Sequence, residues 1–293
     1  MPDSRIGEGF IPVPGGRVWY RLAGSQDAAP LVALHGGPGF PHDYIETLQG
    51  LARRRPVIFY DQLGCGRSER PEDPGLWVAE RFVRELAQVR EWLGLRRFHL
   101  FGHSWGSMLA ADYALTRPLG LASLILASPP LSMSRWIADL TEYRKALPRQ
   151  VQEILDRHEA AGTTDSEEYA EGVMAFYRRH LCRLDPWPEC LERALEGAGM
   201  NVYNHMWGPS EFYVTGNLRG YERAERLGEI DIPTLFTCGR YDEATPEATA
   251  WYRGLVPGAE MAVFDHSAHM PHLEETGPYL ELVGEFLERA ERR

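Results

Sequence analysis

The chain has 293 residues, and its 31 Lys+Arg against 42 Asp+Glu give a formal charge of −11. With 44% hydrophobic and 25% charged residues its balance is that of an ordinary globular protein, and a chain this long builds a core that needs no disulfide or metal staple. Net acidity without a Lys/Arg stripe argues against a nucleic-acid partner, and fully apolar runs of only a few residues exclude a transmembrane helix.

Taken in chain order, Met1-Pro2-Asp3-Ser4-Arg5 shows no basic segment leading into an apolar stretch, so no export signal is expected. A ribbon from Gly9 to Leu22, broken by Pro12, Pro14 and Gly15-Gly16, predicts an antiparallel sheet edge. Short apolar runs at Leu31–Leu34, Val57–Tyr60, Phe98–Phe101 and Leu124–Leu126, each bounded by Gly, Pro or Asp, predict buried parallel strands. Between them Val78, Phe82, Leu86, Val89 and Leu93 share one helix face. Near Pro129-Pro130 the pattern changes, and only helical segments follow until about Gly228. Val151, Ile154 and Leu155 share one face there, and Tyr169, Val173, Phe176 and Tyr177 another. Strand character returns at Thr234–Thr237 and Met261–Phe264, and the chain closes on a helix carrying Tyr279, Val283, Phe286 and Leu287. The expected organisation is an α/β core formed by 1–129 and 229–293, interrupted by a helical insertion over 130–228. Cys65, Cys182, Cys190 and Cys238 lack C-x-x-C spacing and read as free thiols, which with the missing export signal predicts a cytoplasmic protein.

The chemistry concentrates at Gly102-His103-Ser104-Trp105-Gly106. This G-x-S-x-G follows an apolar strand and precedes a helix-forming run, the context in which a sharp turn exposes the serine at the sheet's C-terminal edge. The helix that follows aims its N–H groups and positive dipole end at a developing oxyanion. A serine hydroxyl needs a base, and the base needs an orienting carboxylate. In this arrangement they follow in the order Ser, Asp/Glu, His, from turns after later strands. Asp242 follows the strand ending at Gly239, and His269 follows the strand ending at Phe264, so Asp242 is assigned as orienter and His269 as base. Glu243, Asp265, His266 and His272 are the competing groups nearby. His266 comes too soon after its strand to reach the serine, and His272 follows Pro271 at the start of the last helix. The turn His35-Gly36-Gly37-Pro38-Gly39 can bring a backbone N–H beside the nucleophile. Gly37 and Trp105 are the expected oxyanion donors, each worth about 3 kcal/mol of barrier.

With these residues in view, the sequence resembles the proline iminopeptidase family of α/β-hydrolases, most closely its tricorn-interacting aminopeptidase and L-amino acid amidase branch. The resemblance runs nearly full length. It includes Asp61-Gln-Leu-Gly-Cys-Gly-Arg-Ser68, Trp207-Gly-Pro-Ser-Glu-Phe212 and Gly239-Arg-Tyr-Asp-Glu-Ala-Thr-Pro246, beside the more widely shared serine elbow. It implies an α/β-hydrolase fold, a mostly parallel central sheet with helices on both faces and a helical cap, and a serine hydrolase that releases N-terminal proline or other apolar residues from peptides or amino-acid amides. It also implies that Glu211 and Glu243 bind the free α-ammonium of such a substrate. Trp207, Phe212 and Tyr213 flank Glu211, and two roles are open to them: walls for the substrate side chain, or cap core. No metal or cofactor is called for. The rival readings are an esterase or lactonase using the same triad on an uncharged acyl group, and a hydrolase fold reused as a receptor.

Overall fold

The computed structural model describes residues 7–24 and 27–292; residues 1–5, read above for an export signal, lie outside them. Eight strands form one sheet in the order β1-β2-β4-β3-β5-β6-β7-β8. The strands are β1 (Gly7–Val13), β2 (Gly16–Ala23), β3 (Leu31–Leu34), β4 (Val57–Tyr60), β5 (Phe98–His103), β6 (Leu121–Ala127), β7 (Thr234–Gly239) and β8 (Glu260–Phe264). From β4 to β8 every neighbouring pair is parallel, while the β1–β2 hairpin joins β4 antiparallel. The N-terminal ribbon and all six apolar runs therefore form strands as the sequence predicts.

Why those runs are continuously apolar is visible in the packing. Val32, Leu34, Ile58, Tyr60, Leu100, Leu124 and Leu126 belong to the core on one face of the sheet. Their alternate neighbours Leu31, Ala33, Val57, Phe59, Phe101 and Ile125 belong to the core on the other. A strand covered on both faces has no solvent side, so alternation vanishes from its sequence. The first face is covered by α1 (Ala79–Trp92) and α2 (Trp105–Ala114); the second by a 3₁₀ segment, His42–Arg53, and by the C-terminal helix α10 (Thr276–Glu291). α8 (Pro246–Leu255) packs into the first of these layers through Ala248 and Tyr252, and the single turn α9 (Pro271–Glu274) joins the second through Leu273. His272 thus lies in α9, ahead of the last helix rather than at its start.

Between β6 and β7 run α3 (Met133–Lys145), α4 (Arg149–Ala161), α5 (Glu167–His180), α6 (Glu189–Glu196) and α7 (Met200–Met206). The only β pairing among the described residues of this stretch is two isolated bridges, Ser132 with Glu222 and Ser210 with Tyr213. Caps explain several of its boundaries: Ser132 accepts from the Arg135 N–H, Ser166 from the Tyr169 N–H, and Gly162 ends α4 in the left-handed region at φ 67°.

On α1 the face toward the sheet carries Phe82, Leu86 and Val89, all buried, but also an ion pair that the apolar periodicity did not disclose. Arg81 donates to Glu85 with the two side chains 2% and 0% exposed, and Glu85 also accepts the Leu63 N–H. Removing one partner strands a buried charge. Arg81→Met should cost about 3–5 kcal/mol of unfolding free energy in urea titration, and the double substitution Arg81→Met/Glu85→Leu should recover most of it.

Candidate active site

β5 ends one residue before Ser104, and α2 begins one residue after it. The serine occupies φ 54°, ψ −123°, a conformation costly for a side-chain-bearing residue, and is held there by its N–H to the Ala127 carbonyl at 2.9 Å. The flanking glycines are a steric requirement: a Cβ on Gly102 would stand 2.1 Å from the Gly106 carbonyl oxygen, and one on Gly106 would stand 2.5 Å from that of Leu34. The Ser107 N–H and hydroxyl both donate to the Ser104 carbonyl, at 2.8 and 2.6 Å, closing the first turn of α2.

β6 lies beside β5 and β7 beside β6, all parallel, so their C-terminal ends come to the same edge as this turn. Asp242, three residues past β7, is fully buried. Its Oδ1 accepts from the Ala244 N–H at 2.7 Å and lies 2.6 Å from His269 Nδ1, while Oδ2 accepts from the Ser128 hydroxyl at 2.7 Å and the Gly239 N–H at 3.2 Å. A carboxylate accepts only, so Nδ1 carries a proton and Nε2 is the nitrogen left to face the cavity. Ser104 and His269 both line that cavity, together with Gly37. The competitors lie elsewhere. Asp265 and His266 are exposed, with Asp265 paired to Arg240, and His272 is buried against Tyr44 and His103.

The turn after β3 is equally constrained. Gly37 has φ 107°, and a Cβ there would meet the Gly39 and Phe40 nitrogens at 2.7 and 2.8 Å. The Gly36 N–H is already donated to the Tyr44 hydroxyl at 2.7 Å, so the next amide, Gly37, is the one free of that bond. Trp105 opens α2, where backbone N–H groups have no helical acceptor. Its indole is fully buried and donates to Gln62 at 2.9 Å.

The insertion brings an acidic group over this centre. Glu211 is 7% exposed and lines the cavity; Glu243 is 1% exposed and sits behind it, its Oε1 3.6 Å from His269 Nε2. Glu211 Oε1 accepts from the Tyr203 hydroxyl at 2.8 Å. Glu211 Oε2 and both oxygens of Glu243 have no hydrogen-bond partner, and no Arg or Lys pairs with either among the described residues. Burial pushes the Glu211 carboxyl up to about 7, against the opposing pull of His269 and the Tyr203 bond. Glu243 is raised well above the carboxylate range by burial and by the charges of Glu211 and Asp242.

Of the two roles open to the aromatics beside Glu211, the structure supports core. Trp207 and Phe212 are buried in the hydrophobic cluster, with Tyr213 packed against it, and none of the three lines the cavity. Trp207 and Trp136 instead donate their indole N–H groups to the Glu211 carbonyl, at 3.4 and 2.9 Å. The cavity's apolar walls are Phe40, Tyr177, Leu181, Leu191, Leu195 and Met270. None of these was singled out as a wall from the sequence, because an apolar residue on a helix gives the same signal whether it faces a core or a cavity. Ser128 was missed too; its only sequence cue is a polar residue at the end of β6, the strand between nucleophile and acid.

The α/β hydrolase fold family matches residues 29–276. The proline iminopeptidase of Heyndrickxia coagulans is 49% identical over 282 residues, covering 96% of this chain and 98% of the relative. The chain belongs to the proline iminopeptidase family. Two solved structures extend the likeness to three dimensions. The crystal structure of VinJ superposes with a TM-score of 0.94 at 40% identity, covering 97% of this chain and 99% of the other. That of the Mycobacterium smegmatis proline iminopeptidase gives 0.89 at 35%, covering 97% and 98%.

For a proline iminopeptidase relative with this geometry, a fluorophosphonate should label the protein once, at Ser104, with no labelling of Ser104→Ala. Asp242→Asn should slow labelling on the order of 10²–10⁴-fold by spoiling the imidazole tautomer. Ser128→Ala, which removes one donor from Asp242, should slow it about 10-fold.

Proposed function

We propose that this protein is a serine aminopeptidase that releases an N-terminal proline or other apolar residue from small peptides or amino-acid amides through an acyl-enzyme. In this reading Ser104 is the nucleophile, His269 the base, Asp242 its orienter, and the N–H groups of Gly37 and Trp105 the oxyanion donors. Residues 130–228 form a cap domain over a core made of 1–129 and 229–293. The observation that carries the reading is the pair of buried carboxylates, Glu211 and Glu243, with three unpartnered oxygens beside the serine and the base. Buried acids without a cation are costly, and a substrate α-ammonium would supply the missing charge and donors. The proline iminopeptidase relatives support the same substrate class.

Docking of the ammonium between Glu211 and Glu243 leaves the carbonyl of the first residue over Ser104, and the first side chain against the apolar walls. His269 Nε2 takes the Ser104 proton as Oγ forms its bond to that carbonyl carbon, and the carbonyl oxygen takes the negative charge against the two backbone donors. Collapse breaks the C–N bond, and His269 returns the proton to the departing amine. Water, deprotonated by the same imidazole, then releases the amino acid and restores Ser104.

Free-amine specificity separates this activity from an esterase or lactonase acting on uncharged acyl groups. Among the anilides of Pro, Ala, Leu and Phe, those with a free amine should be cleaved, whereas N-acetylation should cost several kcal/mol, or at least about 10²-fold in kcat/KM. Equal turnover of blocked and free compounds would overturn the proposal.

The acids also make a prediction about stability. A carboxyl whose pKa is raised on folding stabilises the fold below its unfolded value, and that contribution is lost as pH rises through the folded value. Wild type should therefore lose stability relative to Glu211→Gln between about pH 4.5 and pH 7. Above that window the substituted protein should be more stable by at most about 3 kcal/mol and less active on free amines. Paired thermal melts at pH 4.5 and pH 8 check the sign.

A further inference from the structure

One wall of the site holds a chain of hydrogen bonds whose direction can be worked out. His103 Nε2 lies 2.7 Å from the His269 carbonyl oxygen, which can only accept, so Nε2 carries the proton. Its other nitrogen, Nδ1, lies 2.8 Å from the Tyr44 hydroxyl. Burial, together with neighbouring His269 and His272, pushes the His103 ring well below the usual histidine range and keeps it neutral. A neutral ring protonated at Nε2 presents a bare Nδ1, so Tyr44 must donate to it. The same Tyr44 oxygen accepts the Gly36 N–H at 2.7 Å. The chain thus runs one way, from Gly36 N–H to Tyr44, from Tyr44 to His103, and from His103 to the His269 carbonyl.

Its two side chains line the cavity beside Ser104 and His269, and each end of the chain adjoins a catalytic group. Gly36 adjoins the oxyanion donor Gly37, His103 adjoins Ser104, and the last acceptor is the backbone of the base itself. Tyr44 and His103 are 3% and 1% exposed, so water cannot replace a lost link easily. Contact is close enough that a Cβ on Gly36 would meet the Tyr44 hydroxyl at 2.8 Å and Ser104 Cβ at 3.0 Å. The segment after β3, the end of β5 and the loop after β8 are therefore joined by two side chains.

We propose that Tyr44 and His103 are positioning residues that hold the oxyanion turn and the base in register with Ser104, a role that rests on the aminopeptidase reading above. Their effect falls on the transition state rather than on amine binding, since the chain's bonds go to Gly36 and the His269 backbone and none goes to Glu211 or Glu243, even though Tyr44 and His103 line the same cavity as Glu211. The test is Tyr44→Phe, which deletes the hydroxyl and keeps the ring. The readouts are kcat and KM on the best-cleaved free-amine anilide and inhibition by the aldehyde of the same amino acid. Inhibition by the matching amine lacking the carbonyl, and the thermal melt, serve as comparisons. The expected result is a fall of about 10- to 100-fold in kcat, matched by the loss of aldehyde affinity. KM and amine affinity should stay within about 3-fold.

An unchanged kcat would sink the proposal, as would an equal loss in kcat, aldehyde affinity and amine affinity, the mark of general disruption. If Tyr44→Phe does not fold, His103→Gln and His103→Leu replace it. Gln can donate to the His269 carbonyl and accept from Tyr44, so it should keep at least about 10-fold more kcat than Leu; equal values overturn the role. Wild type inactive on every free-amine anilide would instead defeat the aminopeptidase reading and this proposal with it. An active wild type with an indifferent Tyr44→Phe defeats this proposal alone.

Discussion

Asp242 is a fully buried carboxylate, and it is tolerable only because four donors reach it from separate parts of the chain. Two are backbone amides of its own turn, one is the Ser128 hydroxyl at the end of β6, and one is the His269 ring after β8. That convergence requires the strand order β5-β6-β7-β8 and requires the ends of those strands to be level. Parallel pairing with crossover helices supplies both conditions. The elbow at Ser104 depends on the same alignment, because the bond from its N–H to Ala127 fixes the strained residue to the neighbouring strand. The sheet is thus less a support beneath the site than the device that makes its charges affordable.

Two kinds of buried acid meet within this small volume, and the contrast between them is informative. Asp242 has two donors on each oxygen, which fixes its position against the His269 ring. Glu211 and Glu243 have three bare oxygens, and burial raises both carboxyls. A fold could remove that cost with a lysine or by exposing the groups, and this one does neither. Its neighbours reinforce the placement instead: Trp136 and Trp207 hold the Glu211 backbone, and Tyr203 holds one carboxylate oxygen. Buried polar groups left open inside a well-packed frame are characteristic of sites built for a ligand that completes them.

Much of this was legible in the sequence. The six apolar runs became strands because a doubly covered strand has one available pattern, and the order Ser104, Asp242, His269 follows from the order of the turns. Glu211 and Glu243 came from the family resemblance, since neither a lone glutamate in the helical insertion nor one in the turn after β7 carries a mark of burial. Other features left no trace in a linear reading. Tyr44 belongs to a 3₁₀ segment with no clean period, and its partners Gly36 and His103 lie 8 and 59 residues away. Arg81 and Glu85 look like a solvated i,i+4 pair until the loop containing Leu63 is folded over them. Leu191 and Leu195 sit on a short helix whose apolar face reads as core, although Leu195 is 40% exposed at the cavity. In each case the missing information was long-range: which distant segment comes to cover, or fails to cover, the side chain.

The three bare oxygens have a further thermodynamic consequence. In the proposed reading, a molecule that brings an ammonium group to them binds the native state and finds no equivalent place on the unfolded chain, so it raises the melting temperature by mass action. Resistance to heat then becomes a titratable property of the solution, set by the concentration and shape of the dissolved amine, and amino acids or alkylamines could be ranked by the melts they produce before any bond is cleaved.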